Sequence, residues 1–357
     1  MSESKRPRTT AIYITSAMEP NRGSNRYMYS LSDKCGLDEK RILYINDASP
    51  FPWIRDVLKS IKENLNKDGI NVIFIRGAPI LDSLGPIMFR IFFGRNVKLV
   101  APIFHLNPLN LRKNGYNKSL FIISLKQRIG AFLELLFADV FITENTYIER
   151  YIHKFRKNGK VIVRQLGIRK EYIPSIDKIL NADRDIDFIY TGGLDKLKGV
   201  EDILIAFKPI SKDHSLVLAG YGDRKWIEKL IEKYEIDNVE IYSNISEEEK
   251  FKLYLRSKVY VFSSLVDGIP ITFHEAWAYG NLVVARLLPT YDEIKDRIFG
   301  VSHLDPEKMI YALSSYNKQK ELIIRNYWYA VKNANTEENV LDVCSKICSY
   351  LNLKDNC

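Results

Sequence analysis

Two carboxylates lie eight positions apart in the stretch SSLVDGIPITFHEAWAYGNLVVAR, at a point where a predicted strand gives way to a helix. Asp267 follows the strand, and Glu275 lies in the first turn of a helix predicted from about Thr272 onward. The free N–H groups of Ile271, Thr272 and Phe273 at that helix start would attract an anion. Because a carboxylate accepts hydrogen bonds from a vicinal diol, the pattern predicts a nucleotide site, with N–H groups on phosphate and Glu275 on ribose.

A purely structural interpretation of the same acids stays open. Asp267 would then be a turn residue, and Glu275 would only stabilise its helix through the helix dipole. The local pattern does not decide between the two interpretations. His274 would point about 100° away from Glu275 around the helix, so we assign it to packing.

Strands alternate with helices through both halves of the chain, as in TAIYITSA, RILYIND and INVIFIRG, and later in IDFIYTGGL, HSLVLAGYG and VYVFSSL. Such alternation predicts parallel sheets covered by helices. We therefore predict an α/β protein of two doubly wound Rossmann-like domains that face each other across a cleft, with ligands at the carboxyl ends of the strands. The predicted domains span residues 1–180 and 181–335, and a C-terminal helix in 336–357 packs back toward the first domain.

Length and composition fit two globular domains. The chain has 357 residues, of which 46% are hydrophobic and 27% are charged. No apolar run approaches the ~18–20 residues of a membrane span, and we interpret the short apolar stretch near the N-terminus as a first strand rather than a signal peptide. The cysteines lack the spacing of a metal site, so we expect reduced thiols, a cytoplasmic protein and no bound metal. They are Cys35, Cys344, Cys348 and Cys357.

The region from Asp187 to about Glu293 resembles the retaining glycosyltransferases of family four, which have the GT-B fold. Four blocks carry the resemblance in order: YTGGLDKLKGVEDILIAF, LVLAGYGD, EEEKFKLYLRSKVYVFSS, and the acid pair followed by EAWAYGNLVVA. The N-terminal half matches only loosely. The resemblance implies that the C-terminal domain binds a nucleotide-diphosphate sugar, that the N-terminal domain binds the acceptor, and that no cofactor or metal is obligatory.

The resemblance also implies roles for single residues. Glu275 would bind the donor's ribose, Asp267 would lie beside the donor sugar, and Lys198 would contact the diphosphate. Gly193 stands where the family has an Arg, so a bidentate cation is missing at this position. His105 ends a predicted strand where the family often has a histidine near the donor sugar, although a structural histidine is an equal alternative. The catalytic candidates are His105, Lys198 and Asp267, and the donor-binding candidates are Gly23, Gly192, Gly193, Lys198, Gly220, Gly268, Ile271, Thr272 and Glu275.

Positive charge is concentrated in the N-terminal half of a chain whose net charge is +9. No acidic residue occurs from Ser83 to Leu133, where aromatic and aliphatic residues alternate with Arg90, Arg95, Lys98, Arg112, Lys113, Lys118, Lys126 and Arg128. This pattern is typical of a helix lying on an anionic membrane surface. A buried amphipathic helix with a solvated basic edge fits the pattern as well. No nucleic-acid-binding motif is recognisable, so we expect no nucleic-acid partner.

The resemblance to family four implies a retaining hexosyltransferase. It would move a sugar from a nucleotide-diphosphate sugar to a glycan or lipid-phosphate-linked acceptor, in the cytoplasm or peripherally on the cytoplasmic membrane face. Two alternatives stay open. One is a non-catalytic, nucleotide-sugar-binding GT-B partner subunit, which the missing Arg favours, and the other is a GT-B-fold nucleotide-sugar epimerase.

Overall fold

The computed structural model describes residues 9–16, 31, 34, 35, 37–45, 59, 62, 63, 65–75, 86–88, 90, 91, 94–104 and 118–353. The chain divides into two compact units. The first consists of Met1–Gln165 together with Thr336–Cys357, and the second is Leu166–Asn335. Among the described residues, no helix is both long enough and apolar enough to cross a membrane.

A parallel six-stranded sheet forms the centre of the first unit, in the order β2-β1-β3-β4-β5-β6. Its inner strands are apolar runs that are buried almost throughout, as expected for a sheet covered on both faces. The strands are β1 Thr9–Ser16, β2 Glu39–Ile45, β3 Ile70–Phe74, β4 Val97–Pro102, β5 Val140–Thr143 and β6 Lys160–Val163. The described α-helices of the sequence before β6 are Lys118–Phe137 and Thr146–Phe155, and a 3₁₀ turn spans Gly94–Asn96.

The C-terminal helix, Glu337–Leu351, belongs to the first unit and packs beside β5 and β6. There it brings Cys344 next to Cys35, with a Cα–Cα distance of 4.9 Å, and the two form a disulfide across 309 positions of sequence. The expectation of reduced thiols is therefore wrong for this pair. The sequence could not show it, because the pairing depends on the return of the last helix to the first unit.

A second parallel sheet has the order β12-β11-β10-β7-β8-β9. This is the doubly wound order in which the chain starts at the centre, runs to one edge, and returns to the centre for the other edge. The strands are β7 Ile186–Leu194, β8 Leu216–Gly222, β9 Val239–Ser243, β10 Ser257–Phe262, β11 Leu282–Arg286 and β12 Phe299–Val301. The covering α-helices are Ile176–Leu180, Val200–Phe207, Arg224–Tyr234, Glu247–Arg256, Ile271–Ala278, Pro306–Ser315 and Lys320–Lys332, with 3₁₀ segments at Lys170–Tyr172, Lys208–Ile210, Pro289–Arg297 and Tyr316–Lys318.

The division between the units lies at residue 165, whereas the sequence analysis placed it at 180. Residues 166–180 are held on the second unit by tyrosine hydroxyls that donate to their backbone. Tyr279 donates to the carbonyl of Tyr172 at 2.7 Å, and Tyr327 donates to that of Pro174 at 2.9 Å. Ile179 of the short helix is also buried. The weakly hydrophobic composition of this segment is typical of a linker, so these long-range contacts could not be predicted from the sequence.

Candidate functional site

The residues singled out in the second half meet where the strand order of the second sheet reverses. β7 and β10 are neighbours in the sheet, but the chain leaves them toward opposite edges. The loops beyond their carboxyl ends therefore diverge and leave a crevice, which is the usual ligand site of a doubly wound sheet. Gly192 and Gly193 precede the last residue of β7, Lys198 lies in the loop after that strand, and the segment from Ser263 to Asp267 follows β10.

Glycines allow the loops at these strand ends to approach closely. Gly199 has a φ of 69° at the start of the helix Val200–Phe207, and a Cβ there would collide with the carbonyl of Ser263. A Cβ on Gly220 would likewise collide with the carbonyl of Gly192 on the adjacent strand. Because neither position has a side chain, the ends of β7, β8 and β10 can lie in close contact.

Lys198 and Asp267 join the two loops as an ion pair. The Lys198 Nζ lies 2.9 Å from each carboxylate oxygen of Asp267, and the Lys and Asp side chains are 34% and 16% exposed. Burial lowers the pKa of Lys198, but the charge and hydrogen bonds of Asp267 outweigh burial and raise it overall. An ammonium group has three donors, so one N–H of Lys198 is left for a third oxygen.

The helix Ile271–Ala278 follows Pro270, which is its N-cap residue and provides no side-chain hydrogen bond. Phe273 N–H donates to the carbonyl of Pro270 at 3.0 Å, so the expectation that it belongs to the anion site is wrong. Within the described residues, the N–H groups of Ile271 and Thr272 have no hydrogen-bond acceptor. No acidic side chain occupies the first turn, so two backbone donors face outward at the positive end of the helix.

Glu275 lies at the fifth position of this helix, not in its first turn, and is only 6% exposed. Its Oε1 accepts a hydrogen bond from Lys250 Nζ at 2.8 Å, and its Oε2 accepts one from the hydroxyl of Tyr254 at 3.2 Å. Each carboxylate oxygen has two lone pairs, so one remains on each for a further donor. A residue that only stabilises its helix through the helix dipole would not need to be buried and held by two side chains, as the Glu275 carboxylate is.

Lys250 and Tyr254 escaped the sequence analysis. They are four residues apart on the helix Glu247–Arg256, so both face Glu275, and the capping box of Ser246 and Glu249 fixes where that helix begins. Burial lowers the pKa of Lys250, whereas Glu275 and Glu247 raise it to a net increase. Burial, followed by the charge of Glu275, raises the pKa of the Tyr254 hydroxyl, which therefore stays a donor at neutral pH. The i, i+4 spacing of Lys250 and Tyr254 showed that they share a helix face, but it did not indicate which residue they contact.

Buried tyrosines connect Glu275 to the end of β7. The hydroxyl of Tyr254 also contacts the hydroxyl of Thr191, the residue before Gly192. Tyr260 donates to the carbonyl of Thr191 at 3.1 Å and lies 2.9 Å from the hydroxyl of Thr272. The network fixes the helix start and the carboxylate relative to the strand end, because every member is held from at least two sides.

The Asp267 loop is held by Thr290, whose hydroxyl donates to the carbonyl of Asp267 at 2.9 Å. Thr290 stands in the 3₁₀ segment that begins at Pro289. Gly268 follows Asp267 in this loop. Gly23 and His105 lie outside the described residues. His274 is buried and stacks on Tyr329, with ring centroids 5.8 Å apart, as the packing interpretation predicts. The part of the chain that the structure describes holds no group of three or more His, Cys, Asp or Glu side chains suited to a metal.

Comparisons with known proteins identify the domain that carries this site. Residues 173–298 match the family described as Glycosyl transferases group 1. The chain is 24% identical over 278 residues to "Uncharacterized glycosyltransferase MJ1059" of Methanocaldococcus jannaschii, an alignment that covers 70% of this chain and 64% of the relative. The match thus spans slightly less than two thirds of that relative's length.

Two solved structures show the fold. A sucrose-phosphate synthase from Thermosynechococcus elongatus superimposes with a TM-score of 0.76 at 16% identity, over 96% of this chain and 99% of that one. Anabaena Alr3699/HepE, solved in complex with UDP and glucose, superimposes with a TM-score of 0.68 at 11% identity, over 96% and 99%. These likenesses and the two doubly wound sheets confirm the predicted GT-B fold. The region that matches the glycosyl transferases group 1 family, residues 173–298, holds the site.

Proposed function

We propose that the chain is a retaining glycosyltransferase of family four that transfers a hexose from a nucleotide-diphosphate sugar. The observation that carries the proposal is the grouping at the β7/β10 reversal: the Lys198–Asp267 pair, the N–H groups of Ile271 and Thr272, and the buried carboxylate of Glu275. Together they provide cation, backbone donors and a diol acceptor, which are the groups that a nucleotide diphosphate requires.

The transfer follows from what these groups can stabilise. The bond between the anomeric carbon and the diphosphate oxygen breaks, and a bond from that carbon to the acceptor oxygen forms on the same face of the sugar. The departing diphosphate accepts the acceptor's proton, so no side chain serves as a covalent nucleophile. Negative charge grows on the diphosphate as the bond breaks, and Lys198 with the helix N–H groups stabilises it. Asp267 orients Lys198 and lies where the donor sugar would be held.

A non-catalytic donor-binding subunit is the competing proposal, because Gly193 leaves Lys198 without a neighbouring guanidinium and Asp267 already occupies two of its donors. The two proposals differ in turnover. We expect one nucleotide-diphosphate sugar in a donor panel to raise the melting temperature, and the purified chain to release nucleoside diphosphate from that donor. Stabilisation without any release, with or without acceptor extracts, would favour the binding subunit. Conversion of the donor sugar without acceptor or release would instead favour the epimerase.

We propose a lipid-phosphate-linked acceptor presented at the cytoplasmic membrane face. The helix Lys118–Phe137 supports this proposal, because four of its apolar side chains are 40–56% exposed: Leu125, Ile129, Phe132 and Leu136. Their spacing of four, seven and eleven positions places them in one stripe along the helix. The helix packs inward through Leu135 and Glu134, which are both buried. Glu134 is the first acidic residue after the acid-free stretch, and because it is buried, the exposed stripe carries no negative charge.

A vesicle assay tests the membrane contact. Cations near an anionic bilayer contribute ~1 kcal/mol each within a Debye length of ~8–10 Å. We expect co-sedimentation to increase with anionic lipid, decrease at high salt, and fall when Lys118, Lys126 and Arg128 become Gln or when Phe132 and Leu136 become Ser. Ile205→Ser is the matched control, because Ile205 is equally exposed on the second unit. Equal, negligible binding to neutral and anionic vesicles at low salt would point to a soluble acceptor.

A further inference from the structure

Gly193 carries no side chain beside Lys198, and the Asp195 carboxylate fills part of the space that a side chain at position 193 would take. A Cβ built on Gly193 would point toward the Asp195 carboxylate at 2.7 Å and the Lys198 Cγ at 3.6 Å. The face of the sheet above Gly193 is therefore the face on which the lysine lies. Because position 193 has no side chain, a neighbouring strand is a further source of a group for a diphosphate near Lys198, besides the N–H groups of Ile271 and Thr272.

The neighbouring strand supplies Tyr221. In the parallel pairing of β7 with β8, Gly193 is opposite Tyr221. Register partners in a parallel pair project their side chains from the same face of the sheet, so Tyr221 rises from the face that holds Lys198. Its side chain is 43% exposed at the carboxyl end of β8, one residue before the sheet pairing ends at Gly222. Ligands of doubly wound sheets bind at the carboxyl ends of the strands, so an exposed aromatic side chain at this end of β8 can contact a bound ligand.

Electrostatics places Tyr221 in the same neighbourhood. Burial lowers the pKa of Lys198, whereas Asp267, Asp195 and Tyr221 raise it. Burial is the main cause that raises the pKa of Tyr190, whose hydroxyl donates to the carbonyl of Gly193, and Tyr221 adds a smaller increase. Both effects agree with the strand register, which sets Tyr221 opposite Gly193.

We propose that the Tyr221 hydroxyl donates a hydrogen bond to the donor's diphosphate, beside Lys198 and across the strand pair from Gly193. The inference rests on the proposed donor site and specifies how its phosphate end is completed. A phenol supplies one donor without a formal charge, so Tyr221 orients the diphosphate while Lys198 and the helix N–H groups carry the charge stabilisation. The contact is to the phosphates, so Tyr221 discriminates a nucleoside diphosphate from the nucleoside.

Calorimetry with nucleoside, monophosphate and diphosphate tests this assignment. The probes are uridine, UMP and UDP. The adenosine and guanosine series are measured in parallel, and the variants are then compared with the series that the parent protein binds. We expect Tyr221→Phe to weaken diphosphate binding about tenfold, the lower end for a hydrogen bond to a charged group, and to leave nucleoside binding unchanged. Gly193→Arg in the Tyr221→Phe background should restore diphosphate affinity. Arg is permitted there because the φ of Gly193 is not in the left-handed region and only the end of the Asp195 side chain must move.

Other outcomes overturn the assignment without affecting the proposed function. Equal diphosphate affinity for the parent and Tyr221→Phe would mean that the hydroxyl makes no contact. A loss of nucleoside affinity in Tyr221→Ala but not in Tyr221→Phe would mean that the ring packs on the base instead. Failure of the parent to bind any nucleoside diphosphate would contradict the donor site itself. Thermal unfolding of each variant checks the fold, and Tyr221→Phe keeps the ring, so it preserves the packing.

Discussion

Glu275→Ala should weaken donor binding by about 1.5–3 kcal/mol, or roughly tenfold to a hundredfold, because it removes the charged acceptor of the ribose hydroxyls. Both nucleoside and nucleoside diphosphate should lose affinity, since the ribose belongs to each. The fold should survive, because Lys250 keeps Glu247 as a partner at 2.9 Å and is not left as an isolated buried charge. Calorimetry on the parent and the variant measures the effect, with circular dichroism as the check on folding.

Glu248→Ala is the matched control for this measurement. Glu248 lies on the helix that carries Lys250, but its side chain is 78% exposed. Among the ion pairs of the described residues, it pairs only with Lys252 on the surface. Its replacement should leave donor affinity unchanged. If Glu275→Ala binds the nucleoside and the diphosphate as tightly as the parent does, Glu275 is a structural carboxylate, and the ribose assignment is wrong.

Lys198→Ala should reduce turnover by a larger factor than it raises the apparent KM for the donor. Charge on the leaving diphosphate increases in the transition state, so a cation there contributes more to the barrier than to ground-state binding. Lys198→Arg should recover only part of the loss, because the guanidinium is planar and cannot reproduce both the Asp267 contact and the third donor of the ammonium group. Steady-state kinetics with the donor identified by the panel gives both quantities.

Lys196→Ala controls for the charge of the loop. Lys196 lies two residues before Lys198 and is exposed, so its loss changes the net charge equally without altering the ion pair. It should turn over as the parent does. If Lys198→Ala and Lys198→Arg also match the parent, another cation stabilises the leaving group, and the role assigned to Lys198 is wrong.

Local sequence was sufficient to place Lys198, Asp267 and Glu275 in one region. Each follows a predicted strand or starts a predicted helix, and the carboxyl ends of parallel strands lie at the same edge of a sheet. The strand order then brings β7 next to β10, which the alternation of strands and helices predicts only in general form. The same reasoning placed the start of the helix Ile271–Ala278 at about Thr272, one residue too late, and Glu275 is the fifth residue of the observed helix and lies past its first turn.

The partners of these side chains were beyond the reach of sequence patterns. Lys250 and Tyr254 contact Glu275 from a helix that lies more than twenty positions upstream, and their spacing alone is equally typical of any amphipathic helix. Tyr221 acquires its proposed role only through the register that sets it opposite Gly193. Register depends on how two complete strands pair, and a shift by one residue would turn Tyr221 to the other face.

The sequence by itself determined that this protein has two doubly wound α/β domains, and it predicted a nucleotide-type site in the second, because periodicity and turn residues act over a few positions. The tertiary structure decided which groups touch the site's carboxylates, where the two units divide, and that Cys35 meets Cys344. It also decided that Leu125, Ile129, Phe132 and Leu136 face outward, although a buried amphipathic helix had fitted the same residues. These features depend on which surfaces pack against each other, and packing joins residues that are tens to hundreds of positions apart in the chain.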